Sequence, residues 1–144
     1  MTTTPPAMPT EAGIDLGQVH TTDDAAAWLR QEGARHAAAA QSDSSPIRAR
    51  ARRLTESTLE AYAAVTVTYR DPAGLGAELS RLADDYRHPD RDTIEPIPEV
   101  HRQACGHLAD TLGQLAERLT RIAATQRHRT NHYARPTTGR SIDL

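Results

Sequence analysis

A chain of 144 residues with a formal net charge of −2 suits one domain around a single core and carries no overall bias toward polyanions. Alanine supplies 24 of the 54 apolar residues, Leu, Ile and Val supply 22, Phe is absent and Trp28 is the lone tryptophan, so a thin, alanine-rich helical core is expected. The single cysteine, Cys105, excludes an intramolecular disulfide and a thiolate zinc framework, and no apolar run approaches the roughly 20 residues of a membrane span.

No basic start followed by an apolar run opens the chain, so a soluble cytoplasmic protein, bacterial in character, is expected. All 17 basic residues are arginine and lysine is missing, the pattern a GC-rich genome writes by codon bias. Arginine in place of lysine is therefore no evidence for phosphate recognition.

Residues 1–20 hold three prolines and no sustained period, and are expected to form a flexible arm, tied down at most by Ile14, Leu16 and Val19. Thr22, Asp23 and Asp24 read as a hydroxyl cap followed by acids at the positive end of a helix, which should run over about 22–40. Ser45-Pro46 opens a second helix over about 46–70. Ile47, Ala51, Leu54, Thr58, Ala61, Tyr62, Val65 and Tyr69 fall on one side of it. Its last turn, Val65 to Tyr69, alternates and is β-branched, which is also strand chemistry. Asp71-Pro72 ends that helix and caps a third over about 72–87. A proline-rich loop follows, and Pro98 and Glu99 open the fourth helix, over about 98–130. Residues 134–144 are expected to form a disordered tail, which leaves 21–133 as the helical domain.

The fourth helix carries the strongest pattern in the chain. Residues 105–125 read CGHLADT, LGQLAER, LTRIAAT, with Cys105, Leu112 and Leu119 at one heptad position and Leu108, Leu115 and Ile122 three residues on. Ala109, Ala116 and Ala123 widen this seam to the stripe of a bundle or coiled-coil helix. Gly106 and Gly113 beside them leave one flank bare. The pattern predicts an all-α fold, a three- or four-helix bundle or antiparallel helical hairpin, with the second helix as the main partner of the fourth.

Candidate chemistry is sparse. Arg48, Arg50, Arg52 and Arg53 spread around the start of the second helix, while Arg118, Arg121, Arg127, Arg129 and Arg135 decorate the end of the fourth and offer contacts to an anion. His101, Cys105 and His107 do not converge on one helix, so no metal and no cofactor is expected. The acids Asp84, Asp85, Asp90, Asp92, Glu95 and Glu99 lack the glycine-punctuated calcium loop and read as a solvated connection.

The string Arg127-His128-Arg129-Thr130-Asn131-His132 resembles the R-[NDH]-x3-H motif of the HEPN family, helical-bundle proteins that include metal-independent ribonucleases. The resemblance covers six residues and implies catalytic roles for Arg127 and His132, with His128 at the variable polar position. On an uninterrupted helix, side chains five residues apart diverge by roughly 140°. The reading that follows from the chain as a whole is a small helical interaction or adaptor protein with no evident catalysis, bound to a protein partner or self-associating as a homo-oligomer. The alternatives are a nucleic-acid-associated protein using the Arg-rich end, or a HEPN-like ribonuclease.

Overall fold

Among the described residues, the computed structural model has four helices, α1 (Thr22–Ser42), α2 (Pro46–Thr66), α3 (Pro72–Arg87) and α4 (Glu99–Asp143), preceded by a 3-10 turn at Leu16–Gln18. The structure describes residues 13–91 and 93–143, with side chains described as far as residue 129. Among the described residues there is no strand, and no helix is long and apolar enough to cross a membrane.

Capping chemistry sets the helix starts. Thr21 Oγ1 accepts from the Asp24 backbone N–H at 3.0 Å, and the Asp24 carboxylate accepts in return from Thr21 N at 3.2 Å. The cap thus lies one residue before the expected Thr22, whose hydroxyl instead donates to the Tyr69 carbonyl at 3.0 Å. Ser45 and Asp71 cap α2 and α3, each followed by a proline in the first turn.

Helix α2 ends at Thr66, short of the expected 70. Val65 and Thr66 are its last helical residues, and Val67 and Thr68 form a turn, not a strand. Thr68 N and Tyr69 N close tight turns onto the Val65 and Thr66 carbonyls at 2.9 and 3.1 Å. The Thr68 hydroxyl also donates to Val65 O at 2.6 Å, occupying an acceptor that another helical turn would need. Helix α4 shows the opposite deviation. It passes the expected end near 130 and continues to Asp143, into the segment 134–144 expected as a tail. No Gly or Pro interrupts the run between Gly113 and Pro136.

The helices form two antiparallel hairpins. In the first, Gly33 of α1 faces the Glu56 carbonyl and Leu59 of α2 at 3.5 and 3.7 Å from where its Cβ would stand. In the second, a Cβ on Gly76 would lie 3.3 Å from both Leu119 Cβ and Thr120 Oγ1, so the missing side chain is what lets α3 close on α4. Helix α4 packs most extensively on α3 and less on α2, reversing the expected order of partners. The heptad seam fills the space between hairpins: Leu112, Leu115 and Leu119 are fully buried, Leu108 and Ile122 nearly so, against Leu29, Leu59, Leu75 and Leu79.

The inner face of α2 is Ala51, Thr55, Leu59, Ala63 and Thr66, while Ile47 and Val65, expected inside, are exposed. Small residues face inward because α1 approaches closely there. The expected arm is docked from residue 13 onward. Val19 is fully buried, and Gln31 clamps Ile14 by accepting from its N–H at 2.6 Å and donating to its carbonyl at 2.7 Å. Residues 1–12 of that arm lie outside the described residues.

Candidate functional site

The first turns of α2, the end of α3 and the first three turns of α4 line an open cleft of about 620 Å³. Arg48 and Arg52, one turn apart on α2, enter it from one side. Arg87 enters from the end of α3, and Arg102, Gln103, His107 and Asp110 line it from α4. The ring of Tyr86, Pro89, Ala109 and the bare backbone of Gly106 complete the wall.

The four guanidinium groups differ in what holds them. Arg48 is bound to Asp43, Nη2 to Oδ1, at 3.0 Å, and Arg102 to Asp90 at 3.1 Å. Hydrogen bonds from Arg48 keep the Asp43 carboxyl below its usual range. Arg87 and Arg52 have no carboxylate partner among the described residues. Arg87 lies across Gly113, where an added Cβ would fall 2.8 Å from its Nη2. Arg52 Nη1 donates to His36 Nδ1 of α1 at 3.1 Å. The His36 ring in turn sits 4.8 Å, centroid to centroid, from that of His107, tilted by 55°. Burial first, then the positive potential of His107 and Arg52, pushes His36 down from 6.5 to about 4. Burial and Arg52 likewise lower His107, against the opposing pull of Asp110.

Tyr86 presents its ring to the cleft, but its hydroxyl is 2.7 Å from that of Tyr62, and burial, with that bond, holds the phenol well above its ordinary value. Among the lining residues no serine, threonine or cysteine stands ready as a nucleophile.

Of the residues singled out in the sequence, Arg48, Arg52 and His107 line this cleft, and the following fall elsewhere. Leu108, Leu112, Leu115, Leu119 and Ile122 belong to the intramolecular core. Cys105 is half-buried beside a separate apolar groove with Tyr86, Ile97 and Pro98, and burial raises its thiol, so the unreactive protonated form is favoured. Arg118, expected to meet an anion, donates instead to the Val19 carbonyl at 2.9 Å and the Gly17 carbonyl at 3.0 Å. Arg121 pairs with Glu117 at 3.4 Å. Arg127, His128 and Arg129 are exposed on α4, and the side chains of His132 and Arg135 lie outside the described residues. The α4 backbone is continuous from Arg127 through His132, so nothing in the helix turns those two positions toward each other.

The acids of the α3–α4 connection are engaged rather than merely solvated: Asp84 meets Arg91 at 3.2 Å and Asp90 meets Arg102. Asp92 lies outside the described residues. Among the described residues no three His, Cys, Asp or Glu side chains gather closely enough to hold a metal ion.

In comparisons with known proteins, the chain matches no family model, no curated sequence and no solved structure. The class that fold and site define is therefore a physical one, an all-helical bundle with an arginine- and histidine-lined cleft.

Proposed function

We propose that this chain is a small, non-enzymatic helical binding protein that recognises an anionic group of its partner in the cleft between α2, α3 and α4. The observation that supports this is the convergence of Arg52 and Arg87, both without a carboxylate partner among the described residues, on one concave surface with Asp110 as its lining acid. Two further arginines, already oriented by Asp43 and Asp90, frame the same surface. Arg52 and Arg87 add positive charge to this surface beyond what Asp110 balances, and an anion relieves their repulsion. Binding is favoured over chemistry because the lining supplies donors and no activated nucleophile.

Thermal unfolding of the full chain tests the reading. Citrate or inorganic phosphate at low ionic strength should raise Tm, since a ligand that binds only the folded state stabilises it. The increase should vanish in Arg52→Ala/Arg87→Ala and shrink as sodium chloride screens the site. A parent protein indifferent to both anions would sink the proposal.

A further inference from the structure

Arg52 is the pivot of the cleft. A guanidinium has no lone pair with which to accept, so in its 3.1 Å contact with His36 it must donate, and His36 Nδ1 must carry the lone pair. His36 is therefore the neutral tautomer with its proton on Nε2. A proton arriving at Nδ1 would break that bond and place a second cation against Arg52, with His107 beyond it. The groups facing the pair from other elements are mostly satisfied already. On α2, Arg48 is bound to Asp43, and on α4 Arg102 is bound to Asp90. On α1 itself, Glu32 and Arg35 pair with each other at 2.9 Å. Arg87 from α3 and Asp110 from α4 remain. A new negative charge in the cleft would offset the cations that oppose protonation.

We propose that the cleft takes the phosphate of a small phosphomonoester, that Arg52 exchanges His36 for this phosphate, and that the His36–His107 pair takes up a proton as the dianion enters. This rests on the anion-binding reading above and names its ligand. Charge is the first argument: two guanidinium groups without carboxylate partners among the described residues match one dianion. Size is the second. A cleft of about 620 Å³ falls within the roughly 300–1,000 Å³ of small-molecule sites, so the phosphate belongs to a larger body. The wall is the third, because the Tyr86 ring, Pro89, Ala109 and Gly106 offer that body an apolar surface. A Cβ on Gly106 would meet nothing within 4 Å, which leaves that part of the cleft open.

The second ionisation of a phosphomonoester, near pH 6, leaves it a dianion at neutral pH, and its second charge can hold a proton from solvent on the imidazole pair. A sulfate ester carries one charge and lacks this coupling. A nucleic-acid backbone asks for a track of cations, whereas here they are gathered. The exposed Arg127 stands roughly 25 Å along α4 from Asp110, at 1.5 Å per residue.

Calorimetric titration of the full chain with phenyl phosphate, phenyl sulfate and citrate, near neutral pH in two buffers of different ionisation enthalpy, reads affinity and proton uptake together. Phenyl phosphate should bind at least about tenfold tighter than phenyl sulfate, the worth of one further charge-assisted bond, with net proton uptake. Arg52→Ala and Arg87→Ala should each weaken it about tenfold or more. His36→Gln/His107→Gln should abolish the uptake and weaken phenyl phosphate binding, because the compensating proton has no site left. Gly106→Leu, which keeps every charge and meets no neighbour at its Cβ, should block binding without unfolding the protein. Equal affinity for the two phenyl esters with no proton uptake overturns the phosphate assignment and leaves the anion site standing. Silence with all three anions overturns both. A short single-stranded RNA or a phosphotyrosine peptide that binds tenfold tighter than phenyl phosphate would reject the small-molecule assignment.

Discussion

At the scale of single residues, context decides which histidines and glycines matter. His36 is one more polar residue among alanines in the sequence, yet α1 delivers it to Arg52 and His107. Its folded-state value, about 4, lies below the 6.5 of an unperturbed imidazole, so between these limits the unfolded chain binds more protons than the folded one. Stability should therefore fall as pH drops from about 6.5 toward 4, and be unaffected by this group above 6.5. His107, also lowered, acts in the same direction. Urea midpoints at pH 7 and pH 5 test this: the loss on acidification should shrink in His36→Gln, and an unchanged loss would show that His36 is solvated. The glycines divide in the same way. Gly106→Ala should stabilise α4 by about 1 kcal/mol, because the methyl group meets nothing and helix propensity improves. Gly76→Ala gains the same propensity but presses on Leu119 Cβ and Thr120 Oγ1 at 3.3 Å and the Ala116 carbonyl at 3.5 Å. It should lower Tm, and a rise in Tm would mean that α3 can draw back from α4 without loss.

At the scale of elements, the N-terminal turn shows how a segment without periodicity becomes ordered. Leu16–Gln18 has no helical length of its own, and its order comes from Val19 entering the core and from clamps supplied by distant residues. Gln31 holds one end and Arg118 the other, through carbonyls at 2.9 and 3.0 Å. Arg118→Ala should therefore release residues 13–20 while leaving the helices intact. Hydrogen exchange should quicken at Val19 and its neighbours, with a stability loss on the order of 1–3 kcal/mol for charge-assisted bonds to backbone. Exchange at the parent rate would show that Val19 and the Gln31 clamp hold the turn without Arg118. The same substitution leaves anion binding in the cleft untouched, because Arg118 does not line it.

For the whole molecule, one leucine seam supports both hairpins. Leu112 and Leu115 are fully buried and touch a core to which every helix contributes. Each truncation to alanine typically costs about 2–5 kcal/mol, and a domain has only about 5–15 to lose. Leu112→Ala/Leu115→Ala should thus be largely unfolded at temperatures where the parent is native, as read by circular dichroism. A parent-like melt would mean that α4 is not the centre of the fold. Burial of the seam within one chain also explains why an alanine-rich sequence with no phenylalanine reaches a packed state. Small residues at Gly33, Ala51, Ala63 and Gly76 bring backbones close enough for few large side chains to fill the interior.

Periodicity and capping are local, and local rules govern them, so the all-helical class, the four helices and most of their starts were legible in the residues alone. Ser45-Pro46, Asp71-Pro72 and the heptads of 105–125 each act within one or two turns of chain. The misplacements have local causes too. A threonine hydroxyl competed for a carbonyl at the end of α2, and Thr21 rather than Thr22 met Asp24. What no spacing rule contains is the choice among similar surfaces. The sequence shows Arg48 and Arg52 one turn apart, and Arg102, Gly106 and Asp110 at helical spacing, but many solvated helix faces show as much. That these two faces meet Arg87, and that His36 meets His107, depends on how α3 closes on α4 through Gly76 and how α1 closes on α2 through Gly33. Packing acts between residues distant in sequence, and it alone turns dispersed arginines into one electrostatic field.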